Sequence, residues 1–363
     1  MYLDLTEAQI IEELFKFIVA EKVTEEDFNH LALKLFAYQF EHNQLYRRFA
    51  VQRAKTVRTV KNWQDIPAVP ISAFKDLTLS CRSPEEAARV FMTSGTTKSG
   101  IRGKSYHPTL AVYDRSMTMN FKHRFMQGRD RIRMGILFPT EEAMPNSSLA
   151  HYLGLALRNF GTKGSHYLIN ETGLDTGRLF CELTRAEQTG EPYALLGASY
   201  SFVHLIDDLQ RRGRSFALPE GSSILDTGGF KGQSRELAAN EFYNQLSTTL
   251  GVPRHQCINM YGMTELSTQF YDRGNETCPS IKSGPHWIRT RVINPLTGDE
   301  VPPGTTGVLV HHDLAHFNSV SAILTEDAGI EVEGGFLLLG RADEADAKGC
   351  SMAVEEFLKA AQG

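Results

Sequence analysis

YALLGASYSFVHLIDDLQ, residues 193–210, decides the fold class. YALLGA (193–198) is an apolar run of strand length, and a helix-length segment from Tyr200 to Gln210 follows it directly. The same pairing recurs on both sides. Upstream, IRMGILF (132–138) reads as a strand and SLAHYLGLALRNF (148–160) as a helix. HYLI (166–169) and a helix from Asp175 to Gln188 come next. Downstream lie SILDT (223–227), a helix from Ser234 to Leu250, and QCINMYG (256–262). Strands separated by helices of this length predict an α/β fold whose sheet is mostly parallel, with flanking helices.

The character changes towards both ends. Thr6 followed by acidic residues opens one helix, with Ile10, Leu14, Phe17 and Ile18 on one face, and Thr24 opens a second carrying Phe28, Leu31, Leu35 and Phe36. IPAVPISAF (66–74) holds two prolines and reads as an extended linker. After residue 280, WIRTRVI, GVLVHHDL and GFLLLG are short strands joined by Gly- and Pro-containing turns, a small antiparallel β-subdomain. The division expected is an N-terminal helical segment (1–65), an α/β core (66–280), the β-subdomain (281–340) and a C-terminal tail (341–363).

Composition narrows the function. With 363 residues, 41% hydrophobic and 22% charged, the chain can bury a sizeable core. A net charge of -5 argues against nucleic acid as the main partner. No window reaches the 18 or so consecutive apolar residues a membrane span needs. The N-terminus lacks the basic start and apolar run of a signal peptide. Five scattered cysteines without a CxxC pair fit a reducing cytosol better than a disulfide framework or a zinc ribbon. A cytoplasmic location is expected.

TSGTTKSGIRGK (93–104) directly follows a predicted strand and packs glycines, hydroxyls and cations together. Glycines let a backbone turn tightly and present consecutive N–H groups, and hydroxyls and cations add donors, a combination suited to polyphosphate. It is not a GxxxxGK[ST] loop, because Lys98 stands where the first Gly would be. A solvated loop without a ligand is the alternative on composition alone.

Four stretches in order carry a resemblance. Thr93-Ser94-Gly95-Thr96-Thr97 resembles the phosphate loop of the acyl-adenylating superfamily, usually [ST]SGTTGxPKG; here Lys98 replaces the next Gly and the Pro is missing. Tyr261-Gly262-Met263-Thr264-Glu265 is similar to its YGxTE motif. Thr325-Glu326-Asp327 stands where the ribose-binding Asp falls, and Gly340-Arg341-Ala342-Asp343 resembles the GRxDD motif. With IPAVPISAFK and the short length, the chain looks most like the acyl-protein synthetases, the fatty-acid-activating component of bioluminescence reductase complexes and relatives of phenylacetate-CoA ligase.

The resemblance implies activation of a fatty or other apolar carboxylic acid by ATP and Mg²⁺, then acyl transfer to a protein thiol. Thr93, Ser94, Gly95, Thr96, Thr97 and Lys98 would hold the β- and γ-phosphates and Thr264 the α-phosphate. Glu265 would hold the metal, Tyr261 would stack on adenine, and Asp327 would take the ribose hydroxyls with Arg341 beside it. TGGFKG (227–232) would place Gly228 and Gly229 against the ligand, with Lys231 offered to the α-phosphate or carboxylate. His151 resembles the residue between the carboxylate and thiol tunnels. Only 22 residues follow Arg341, so the C-terminal domain of larger superfamily members, with its catalytic Lys, is expected to be truncated. Cys350 is the tail's cysteine and the expected acyl acceptor, with a reductase or carrier protein as partner.

Each residue also has a plainer reading. Glu265 would be an acid in the first turn of a helix capped by Thr264. Asp327 would be a turn aspartate before Gly329. Lys231 would be exposed, His151 a helix-face His, and Cys350 a packing residue at the start of a last helix. Two whole-protein alternatives remain: an acyl- or aryl-CoA ligase, and a non-catalytic nucleotide- or acyl-binding subunit. GASYS (197–201) misses the GxSxG elbow of serine hydrolases. His311 and His312 point to opposite faces of a strand and cannot share one metal ion.

Overall fold

A computed structural model describes residues 6–94, 101–171, 173–230, 232–342 and 352–360. The chain divides into two compact units: residues 120–262 with 269–282, and residues 1–119 with 263–268 and 283–363.

The first of these is built on the sheet expected from residues 193–210 outward. Its strands lie in the order Phe270–Tyr271, Cys257–Tyr261, Ser223–Thr227, Tyr193–Ala198, Arg133–Leu137, His166–Tyr167. All neighbours are parallel except the Phe270–Tyr271 edge, which turns back antiparallel on Cys257–Tyr261. Tyr193–Ala198 is buried at every position, as its unbroken apolar run predicts for an interior strand of a parallel sheet. Helix Ser148–Phe160 starts where Ser147 accepts the Ala150 N–H, and Thr176–Thr189 where Asp175 accepts that of Arg178. Ser199–Arg211 and Ala239–Leu250 complete the layer. The last begins five residues later than its pattern suggested, and Arg235, ahead of it, reaches Asp207 at 2.8 Å. Leu195, Phe202, Ile206, Ile224, Phe242 and Leu246 lie in one core cluster. Burying each such side chain contributes roughly 1.5–3 kcal/mol before the entropy of ordering is counted.

The second unit carries the antiparallel strands. Ile288–Ile293, Thr306–Asp313, Ala322–Val332 and Gly335–Arg341 each pair antiparallel with the next. The third was not read from the sequence. IPAVPISAF is also no linker: Val69–Pro70 pairs in parallel with Ile323–Leu324, and Ala73–Asp76 forms a helical turn. Proline fits there because the neighbouring Ile71 N–H donates to Leu324 O, at 2.8 Å.

Helices Glu7–Val19 and Glu25–His42 open with capping boxes at Thr6/Gln9 and Thr24/Asp27. On the second, Gln39 donates to the carbonyls of His316 (3.4 Å) and Phe317 (3.0 Å) and accepts the Ser321 N–H (3.0 Å). A last helix, 352–360, packs Phe357 on Phe49 with ring centroids 4.6 Å apart, and Arg53 bonds Glu356 at 2.9 Å. Among the described residues no helix is long and apolar enough to cross a membrane.

Candidate active site

Strands Arg89–Met92 and Lys104–His107 pair antiparallel, so the 93–104 stretch joins them as a hairpin connection. Its neck is closed twice. The Thr93 N–H donates to Gly103 O at 3.0 Å, and the Gly103 N–H donates to Thr93 Oγ1 at 2.9 Å. Ser94 lies just past the neck, exposed. Gly95, Thr96, Thr97 and Lys98 lie outside the described residues.

Glu265 stands at this neck. A Cβ placed on Gly103 would come within 2.9 Å of Glu265 Oε1 and 3.3 Å of Thr93 Cγ2. Glycine is what lets the loop backbone approach the carboxylate so closely. Thr264 and Glu265 form a turn, with the Leu266 N–H donating to Met263 O at 3.2 Å. The reading of Glu265 as a helix-opening acid is thereby corrected, since no helix follows. Its side chain is buried, and burial pushes its carboxyl up to about 7. Its own backbone N–H and the charges of Arg341 and Lys75 pull the other way.

This chemistry fits a hard cation that keeps phosphate or water oxygens as its other ligands. Among the described residues no group of three or more His, Cys, Asp or Glu could hold a metal by itself. A single buried carboxylate beside a predicted phosphate loop needs no such group.

Asp327 lies within strand Ala322–Val332, not in the turn that Gly329 suggested. Its register partner on the next strand is Arg341. Arg341 Nη1 sits 3.6 Å from Asp327 Oδ1 and donates to Glu326 Oε2 at 3.1 Å. A bulge between Ala328 and Gly329 locally re-aims this end of the ladder. Gly340, at φ 109°, takes a backbone shape that other residues avoid.

Thr93, Ser94, Thr264, Glu265, Asp327 and Arg341 thus belong to one unit. Tyr261, His151, Gly228 and Gly229 belong to the other. Tyr261 ends the strand Cys257–Tyr261, its ring 5.9 Å from that of Phe270. Gly228 and Gly229 are exposed, with open space where a Cβ would go. The turn they form is anchored from beneath: Thr227 Oγ1 donates to Met260 O at 2.8 Å. Buried Asp226 accepts from Ser199 (2.7 Å), Tyr243 (3.0 Å) and Asn259 (3.0 Å). Ser199 is therefore a structural donor, as the imperfect elbow motif implied.

His151 is buried on its helix with Nδ1 2.6 Å from Glu141 Oε1, and Arg158 donates to the other oxygen at 3.1 Å. Burial raises the Glu141 carboxyl, but these two partners more than offset it and hold it below its usual value. Lys231 and Cys350 lie outside the described residues. His311 meets Thr290 and the Phe336 ring, whereas His312 meets Trp63, so the two do face apart. Burial depresses both to about 3 and keeps them neutral.

Sequence reasoning gave no role to Lys75, directly after the supposed linker, or to Asp313. The short helical turn and the bonds of Asp313 to Ser267 and Thr268 carry no local sequence signal.

Residues 9–359 match the family acyl-protein synthetase, LuxE. The long-chain-fatty-acid–luciferin-component ligase of Vibrio harveyi is 24% identical over 338 residues, covering 90% of this chain and 86% of that protein. Among solved structures, an open conformation of 2-hydroxyisobutyryl-CoA ligase matches with a TM-score of 0.61 and 14% identity, over 94% of this chain and 77% of the other. ATP-bound MatB from Rhodopseudomonas palustris matches with a TM-score of 0.50 and 17% identity over 72% of this chain, which spans about half (49%) of MatB's length. Both likenesses show the adenylate-forming fold. The chain belongs to the acyl-protein synthetase, LuxE, family and is an acyl-adenylating ligase.

Proposed function

We propose that the protein activates a long-chain fatty acid with Mg-ATP and passes the acyl group to a cysteine thiol, Cys350 on its own chain being the first acceptor. The observation that carries this is the Glu265 carboxylate at the closed neck of the 93–104 loop, where a Cβ on Gly103 would meet it at 2.9 Å. The fatty acid follows the name of the Vibrio harveyi relative.

The first step is R-COO⁻ + ATP → R-CO-AMP + pyrophosphate. A carboxylate is a weak nucleophile, so the protein's part is positioning and charge neutralisation. Thr93 and Ser94, with Gly95, Thr96, Thr97 and Lys98, hold the terminal phosphates. Thr264 donates to the α-phosphate, and Lys231 meets the same charge. Glu265 would hold Mg²⁺, and the chemistry the ion would supply is neutralisation of phosphate charge. Asp327 accepts from the ribose hydroxyls, with Arg341 fixing its orientation. Tyr261 stacks on adenine, and Gly228, Gly229 and His151 line the path of the acyl chain. In the second step the Cys350 thiol gives up its proton, sulfur bonds to the acyl carbon, and AMP leaves with the electron pair. A reductase or carrier protein then takes the acyl group.

Carboxylate-dependent ATP–pyrophosphate exchange over a panel of acids, with and without CoA, tests the reading. Exchange greatest with long-chain acids and indifferent to CoA is expected. Formation of acyl-CoA would make the protein a CoA ligase. No exchange with any acid would make it a binding subunit.

A further inference from the structure

Met263–Thr268 belongs to the antiparallel-sheet unit, although the residues on either side of it, Gly262 and Gln269, belong to the other. It carries Thr264 and Glu265, so what holds it decides where the Glu265 carboxylate stands. The strongest hold is Asp313, fully buried at the end of strand Thr306–Asp313. Its Oδ2 accepts the N–H groups of Ser267 and Thr268, both at 2.8 Å. Its Oδ1 accepts the Thr268 hydroxyl at 2.7 Å and the Ala315 N–H at 3.0 Å. Three of these four bonds therefore run to the last two residues of the segment. A carboxylate makes such bonds about twice as strong as a neutral acceptor would. Secondary holds surround them. Ser267 Oγ lies 3.0 Å from His316 Nδ1, and Thr268 Oγ1 lies 3.0 Å from Ser116 Oγ and 3.1 Å from Trp287 Nε1.

We infer that Asp313 is a positioning residue for Glu265. By clamping Ser267 and Thr268 it fixes the preceding turn, so that the carboxylate faces the Gly103 neck before metal and nucleotide arrive. A displacement of about 1 Å in such a group can cost on the order of 10²-fold. The inference rests on Glu265 being the residue that holds Mg²⁺. An ordinary core network would instead support the unit's stability and leave metal binding alone.

The test is ATP binding measured by calorimetry on the full chain, with Mg²⁺ present and with it chelated, for wild type, Glu265→Gln, Asp313→Asn and Thr268→Val. Wild type is expected to bind ATP more tightly with Mg²⁺. Asp313→Asn should lose roughly 10-fold or more of that gain, with a smaller loss of affinity for metal-free ATP through Thr264 on the same turn. Thr268→Val deletes one bond of the clamp and should lose a smaller part. Should Asp313→Asn fail to fold by circular dichroism, Thr268→Val decides alone. A full Mg²⁺ gain in the folded clamp variants, with the gain lost in Glu265→Gln, overturns the inference and spares the metal role of Glu265. A full gain in Glu265→Gln overturns that role, and the inference with it.

Discussion

Asp327 and Arg341 are register partners on adjacent antiparallel strands, with Arg341 Nη1 3.6 Å from Asp327 Oδ1. The pair cannot matter much to stability, because Arg341 is 67% exposed and an ion pair so solvated contributes at most about 1 kcal/mol. Asp327, by contrast, is 17% exposed and held in a strand, a rigid place for a ligand-accepting carboxylate. Asp327→Ala is expected to weaken ATP binding by about 1.5–3 kcal/mol through lost charged hydrogen bonds. The order of preference among acids should not change. Unchanged ATP affinity with an altered acid preference would remove Asp327 from the ribose site.

Glu265→Gln is nearly isosteric and should leave the fold intact. Exchange should fall roughly 10² to 10³-fold, as for loss of one positioned charge-stabilising group. Wild-type exchange in a folded variant would end the metal assignment.

The same carboxyl predicts a pH dependence. Burial pushes it up to about 7, so in the metal-free protein it is protonated below that pH and ionised above. A proton must leave before a cation can bind, and the tightening of ATP by Mg²⁺ should shrink about tenfold per pH unit below 7 and level off above. ATP titrations from pH 5.5 to 8.5, with and without Mg²⁺, read this directly. A gain flat across that range would contradict it.

Gly103→Ala adds a single methyl group at the neck. It would stand 2.9 Å from Glu265 Oε1, so that the carboxylate must shift, and 3.3 Å from Thr93 Cγ2, a tighter contact than usual. Relief requires moving the carboxylate or opening the neck. Exchange is expected to drop roughly 10- to 100-fold, with a much smaller change in melting temperature. Undiminished exchange would show that Glu265 need not sit where it does.

Cys350→Ser separates the half-reactions. Exchange should persist, because the substitution leaves Thr93, Glu265 and Asp327 themselves unchanged. Labelling of the protein by radioactive acid with ATP should vanish, since a serine hydroxyl is almost never ionised near pH 7. The wild-type label should be released by neutral hydroxylamine, as a thioester is. Labelling of the variant at the wild-type rate would move the acceptor elsewhere.

Periodicity made the α/β unit legible: 148–160 and 193–198 read from the sequence as they fold. What escaped did so for physical reasons. Ala111–Phe121 buries Val112, Tyr113, Met117 and Phe121, but Ser116 and Asn120, which bond Thr268 and the Gln269 carbonyl, sit among them and break up the apolar stripe. Ala322–Val332 holds Glu326, Asp327 and Gly329 near its bulge, a composition that reads as a turn. The motif residues of the site could be identified by resemblance, but not the burial of Glu265. The carboxylate meets Gly103, remote in sequence, and remote packing leaves no local pattern.

The grip of Gln39 on the backbone at His316, Phe317 and Ser321 bears on how the chain is made. Contacts of such sequence separation form late, because the intervening chain must first be ordered. On the ribosome, helix Glu25–His42 emerges early and waits through most of synthesis for residues 316–321, the connection between two strands that Gln39 holds. Phe28 and Phe36 find ring partners nearby in sequence, in Trp63 (5.5 Å between centroids) and Tyr46 (6.0 Å), but Gln39 lacks its full set of backbone partners until residue 321 is made. The parallel sheet has no such wait, since its strands from Arg133 to Tyr261 find their neighbours within the stretch just made. A nascent chain stalled before residue 316 should therefore show a protease-resistant α/β unit and an N-terminus still open to cleavage.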